Sequence, residues 1–116
     1  MSSDATTTTT TETHNPHHTD LSRFEIDLLT VTARLEATLG DVKGLAIKER
    51  LEEIHGERIN HGRLYPNLDG LAEKGLIEKR PQAIDDRTNA YRVTQAGFRL
   101  LDQRRDHLSA AVDGGA

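Results

Sequence analysis

The chain has 116 residues, no Cys, no Trp, two Phe, two Tyr and a formal net charge of −4. One small domain is all that this length supports. The lack of Cys excludes disulfides, thiolate metal sites and thiol redox sensing, and no run of about 18 apolar residues is present to cross a membrane. A cytoplasmic protein with no membrane partner is expected. Seven bases and six acids fall within residues 57–92, whereas residues 20–56 carry eight acids and five bases. An anion-binding surface therefore belongs to 57–92, helped by Lys43 and Lys48. Eleven Arg against four Lys, with the acidic balance, point to a salt-adapted or GC-rich source.

Residues 1–19, MSSDATTTTTTETHNPHHT, are too polar to offset the entropy of ordering and are expected to be a disordered tail. They lack the basic and apolar regions of a secretory signal. Within such a tail His14, His17 and His18 would bind a metal only incidentally, so no metal site or cofactor is expected.

Asp20 reads as an N-cap, followed by Leu21, Phe24, Leu28, Val31 and Leu35 in steps of 3 and 4, a first helix over about 21–37. Ile26, Leu29 and Ala33 form a second stripe. Either that helix is deeply buried or the stripe meets a second subunit. Gly40-Asp41 breaks the pattern. A second helix follows over about 43–54, with Ile47, Leu51 and Ile54 inward and Gly56 past its end. Glu57–Ile59 is a linker with room for one strand pairing.

Asn60 caps a third helix running to about Lys74, with Gly75 as its stop. On a helical wheel Leu64, Leu68, Leu71 and Gly75 lie within about 40° of one another. Gly62, Pro66, Asp69 and Glu73 lie opposite, with Gly70 nearby. Two short strands then flank an Asp85-Asp86 tip, and Pro81 confines the first strand to an edge or a bulge. Thr94 caps a last helix over about 95–112, whose seam is Phe98, Leu101, Arg105, Leu108 and Val112. Residues 113–116 should fray.

The predicted fold is mainly α with a small β-hairpin: a winged helix-turn-helix over 20–94 plus a C-terminal helix over 95–112. The segments KGLAIKERLE, INHGRLYPNLDGLAEKGLI and NAYRVTQAGFRLL, spanning about 43–101, resemble the PadR family of winged-helix transcriptional regulators. Gly62–Leu68 and Tyr91–Gly97 weigh most. The resemblance implies a homodimeric regulator of double-stranded DNA, usually a repressor. Its third helix would enter the major groove, its hairpin would touch backbone or minor groove, and its C-terminal helix would dimerise. The single short C-terminal helix is similar to the smaller subgroup. Gly44-Leu45 stands where the family usually has Gly-Tyr, and the absence of Trp argues against an aromatic drug-binding pocket between subunits. The acidic, Thr-tailed composition is similar to members from salt-loving archaea, among them an oxidative-stress regulator.

Acids cannot face phosphate cheaply, so only Asn60 to Asn67 of the third helix can approach DNA. Gly62 and Pro66 leave a low surface there. Arg63 suits guanine O6 and N7, Asn67 suits adenine, and Tyr65 suits a phosphate or packing. Asn60 caps the helix, and His61 is a further donor. Lys79, Arg80, Gln82, Arg87, Thr88 and Asn89 of the hairpin, and Lys43 and Lys48 of the second helix, would flank them. The expected dimer contact comprises Phe98, Leu101, Arg105, Leu108 and Val112 with Ile26, Leu29 and Ala33. An enzyme is not expected: Ser22 and Ser109 lack an evident base, and GRLYPNLDG lacks the Walker spacing and its Lys. The alternative is a winged-helix module that binds proteins without DNA. No small-molecule effector is legible.

Overall fold

Four helices and a three-stranded antiparallel sheet make up the computed structural model, which describes residues 16–81 and 89–114. In chain order, after a 3-10 turn at His18–Asp20, they are α1 Arg23–Leu39, β1 Val42–Lys43, α2 Gly44–His55, α3 His61–Glu73, β2 Ile77–Arg80, β3 Ala90–Val93 and α4 Gln95–Val112. The strand order is β1-β3-β2, with Val42 opposite Tyr91 and Ile77 opposite Val93. The expected winged helix is therefore present, mainly α with a small sheet.

α1 starts two residues later than expected. Its cap is Ser22, not Asp20. Ser22 Oγ accepts the Glu25 N–H at 3.1 Å and Glu25 returns a carboxylate to the Ser22 N–H at 2.8 Å, so two orphan donors are satisfied at once. Asp20 instead closes the preceding turn by accepting the His17 N–H at 2.8 Å. Burial opposes ionisation of Glu25. Hydrogen bonds from Lys74 and Ser22 outweigh it and hold the carboxyl below its ordinary pKa. Lys74 Nζ reaches Glu25 Oε2 at 2.7 Å, tying the end of α3 to the start of α1.

Both apolar stripes of α1 enter the core. Phe24, Leu28, Val31 and Leu35 are buried, and so are Ile26 and Leu29. The second stripe is thus mostly consumed within the chain, which removes Ile26 and Leu29 from the expected subunit contact. Ala33 stays partly exposed.

α2 buries Ile47 and Leu51, but Ile54, expected inward, is 54% exposed because the last turn of α2 overhangs the core. The strand pairing considered for Glu57–Ile59 belongs to Val42–Lys43. Val42 is wholly buried against β3, whereas the Ile59 N–H is donated to the Glu52 carboxylate at 2.9 Å. β2 is an edge strand that ends at Arg80, just before Pro81, as a residue without an N–H requires.

Thr94 ties three elements together. Its hydroxyl accepts the Gly97 N–H at 3.1 Å as the α4 cap and donates to the Gly75 carbonyl at 2.6 Å. Gly97 packs so tightly that a Cβ would fall onto the Leu76 carbonyl oxygen. α4 buries Leu100 and rests Leu101 against the core, whereas Phe98, Leu108 and Val112 are exposed.

Pro16–Thr19, expected to belong to the tail, lie against the domain. His18 is buried against α4, and its N–H is donated to Gln103 Oε1 at 3.1 Å. Its ring lies 4.5 Å from that of His17 and 5.3 Å from that of His107. His14 lies outside the described residues. Among the described residues no group of three His, Asp or Glu is arranged to hold a metal ion.

Candidate nucleic-acid interface

α3 displays its predicted faces. Leu64, Leu68 and Leu71 are fully buried, while Gly62, Pro66, Asp69 and Glu73 are exposed. Asn60 caps it, accepting the Arg63 N–H at 2.8 Å. The helix runs unbroken through Pro66. Gly62 and Pro66 form a low crest, and among the described residues a Cβ at Gly62 would meet only Asn60 Oδ1, at 3.4 Å.

The side chains flanking this crest are more engaged than the sequence implies. Arg63 lays its guanidinium over the Phe24 ring, 3.9 Å from the centroid. Tyr65 is half-buried, with its ring against Gly44 at the start of α2. His61 stacks beside Tyr65 with ring centroids 5.5 Å apart. Asn67 donates its side-chain amide to the Arg63 carbonyl at 2.7 Å, so it must turn to meet a base.

The flanking cations are also committed. Lys48 pairs with Glu52 at 2.9 Å and is largely covered. That carboxylate sits below its ordinary pKa, first through the Ile59 N–H and then through Lys48. Lys79 of β2 pairs with Asp69 of α3 at 3.2 Å, and Arg80 pairs with Glu78 of its own strand at 2.9 Å. Lys43 is the α2 N-cap residue, half-buried. Asn89 hydrogen-bonds the buried Tyr91 hydroxyl, which burial nevertheless raises above its ordinary pKa. Gln82, Arg87 and Thr88, with Asp85-Asp86, lie outside the described residues.

The expected subunit seam is displayed on α4. A groove of about 450 Å³ between α1 and α4 is lined by Ala33, Phe98, Leu101, Arg105 and Leu108 among others. Arg105 stands at its edge, paired with Asp102 at 3.1 Å.

Residues 34–103 match the model of the transcriptional regulator PadR-like family. The chain belongs to the PadR-like family. Among solved structures it is similar to RosR of H. salinarum, with 47% identity over 78% of this chain and 76% of that one, at a TM-score of 0.63. The same protein in the hsRosR-SG complex gives 46% identity over 81% and 79%, at 0.66. Bacillus subtilis PadR in complex with operator DNA shares the fold, at 22% identity over 70% and 47% and a TM-score of 0.55. Among curated protein sequences none matches.

The structure gives the PadR-like segments physical roles. Tyr91, Thr94 and Gly97 bury a ring, cap a helix and clear a carbonyl, so that piece of the pattern serves the fold. Gly44 clears Tyr65. Phe24 was legible only as a core residue, because its place in an apolar stripe carries no sign of the Arg63 contact. His18 was missed because a polar tract gives no periodic signal.

Proposed function

We propose that this chain is a sequence-specific regulator of transcription, acting as a homodimeric repressor on double-stranded DNA. α3 enters the major groove, β2 and β3 lie along the adjacent backbone or minor groove, and α4 joins the subunits. The observation that carries the reading is the crest of α3. Gly62 and Pro66 let backbone approach closely, with Arg63 beside them and no large apolar anchor between. A protein-docking module would need such an anchor there.

The family match to transcriptional regulators supports the same reading. Exposed Phe98, Leu108 and Val112 support a second copy of the chain on α4. Two copies related by a two-fold axis would set their α3 helices at half-sites about one DNA turn apart. Because the net charge is −4, acidic groups near DNA would recruit cations, so binding should weaken little as KCl rises. A mobility shift with the protein's own upstream region, at low and high KCl, tests this. Retardation at both is expected, and none at either would favour the interaction module.

A further inference from the structure

Arg63 is the α3 side chain best suited to a guanine, yet its guanidinium rests on a residue of α1. The Phe24 ring is 8% exposed, and Arg63 Cζ stands 3.9 Å from its centroid. The platform is itself braced. The His55 ring of α2 meets Phe24 edge-on at 6.3 Å and 89°, and His55 Nε2 lies 3.0 Å from Asp27 Oδ2 of α1. The Arg63 backbone is held at both ends, its N–H by Asn60 and its carbonyl by the Asn67 amide.

A guanidinium stacked on a ring uses only its face. Its N–H donors lie in the plane and remain available at the edge. Among the described residues no carboxylate pairs with Arg63, whereas Lys48, Lys74 and Lys79 each meet an acid. We infer that Phe24 is a positioning residue for base recognition: it fixes the plane of Arg63 so that the guanidinium edge meets guanine O6 and N7. This rests on the DNA-binding reading above.

A fork held in its working plane loses little freedom on binding. Attraction to phosphate is independent of sequence. Loss of the platform should therefore reduce discrimination and leave general affinity alone, which a merely structural role for Phe24 would not do.

The full chain is first used to select a consensus from a randomised duplex library. Affinities are then measured at one KCl concentration for the consensus, for duplexes with each guanine replaced, and for random duplex. Phe24→Leu keeps an apolar side chain of similar bulk and removes the ring face. It should lose about tenfold in discrimination at one base pair per half-site, with random-duplex affinity unchanged. Phe24→Tyr should retain discrimination. Arg63→Lys should lose it at the same base pair, and the double variant should lose no more than Arg63→Lys alone.

A second readout needs no substitution. In the wild type the Arg63 Nε–H resonance should be shifted upfield by the ring, and should stay shifted in the consensus complex. Unchanged discrimination in Phe24→Leu, additive losses in the double variant, or a ring shift that disappears on binding each overturns the inference. Failure of the wild type to select or bind any duplex overturns the DNA reading itself, and the inference with it.

Discussion

Tyr65 packs against Gly44 so closely that a Cβ on Gly44 would lie 2.8 Å from both the ring Cε1 and the hydroxyl. The start of α2 thereby decides where a side chain beside the α3 crest can stand. Gly44→Ala should swing Tyr65 outward by rotating its side chain, since the clash is with the far end of that side chain. The expected cost is below about 1 kcal/mol, because the strain of overpacking is relieved by that rotation. Urea unfolding gives the cost, and Tyr65 ring resonances report the movement. Unmoved Tyr65 resonances in the variant would contradict the packing.

Gly97 presents the opposite case. A Cβ there meets the Leu76 backbone carbonyl and Val93, neither of which can swing away. Gly97→Ala should destabilise the domain by about 3 kcal/mol, at the upper end of ordinary overpacking. Gly70, inside α3, has nothing within 4 Å of the same position. Gly70→Ala should stabilise by about 0.5–1 kcal/mol through helix propensity. Urea midpoints of the two variants check both signs.

The N-terminal segment should detach from α4 on acidification. Burial, then the positive fields of His17, His107 and Arg104, hold the His18 pKa below its ordinary value. Asp20 is turned to the His17 N–H and offers no offset. The docked segment therefore binds fewer protons than the detached one. Docking is fully favoured above the ordinary imidazole pKa and is lost as pH falls from there through the lowered value. The protection factor of the His18 amide, which is donated to Gln103, should be high at pH 8 and should fall towards pH 5 once the intrinsic slowing of exchange in acid is divided out. His18→Leu should remove that pH dependence. Equal protection at both pH values in the wild type would contradict it.

Leu108 is half exposed at the mouth of the α1–α4 groove. Leu108→Asp should convert a dimer to a monomer with little change in the fold, since the side chain contributes little to the chain's own core. Light scattering distinguishes the two masses. A wild-type monomer, or a variant that stays dimeric, would contradict the proposed seam.

Much of the fold was legible because burial and periodicity coincide. Leu64, Leu68 and Leu71 are spaced for one helix face and all three are fully buried. Thr94 was readable as a cap from its own chemistry. The misses share a cause, namely that a local signal had a competitor elsewhere in the chain. Asp20 and Ser22 are both good caps, and Ser22 prevailed because Glu25 completes a reciprocal pair. Ile26 and Leu29 had two destinations, and only the position of α1 at the centre of the core chose between them. β1 is two residues long and has no pattern of its own. Its pairing depends on β3, about fifty residues later.

The site was legible as a helix face but not as a set of contacts. Spacing placed Gly62 and Pro66 outward and Arg63 and Tyr65 beside them. It carried no information that Arg63 would rest on Phe24 or Tyr65 on Gly44, since each contact joins helices that meet only in the folded chain. The charges were partly legible. Lys79 meets Asp69 of α3 only in the fold, whereas Lys48 and Arg80 meet acids four and two residues away, spacings that the sequence itself displays.

Gly62→Leu tests the central claim most directly. Among the described residues a Cβ at Gly62 meets only a cap oxygen at ordinary contact distance, and Leu is a better helix former than Gly, so the domain should keep or raise its thermal midpoint. In the proposed complex the same side chain would stand between α3 and the groove floor. Fluorescence anisotropy with a duplex selected by the wild type should show affinity reduced by about a hundredfold, close to 2.7 kcal/mol. Wild-type affinity in a folded Gly62→Leu variant would contradict the account.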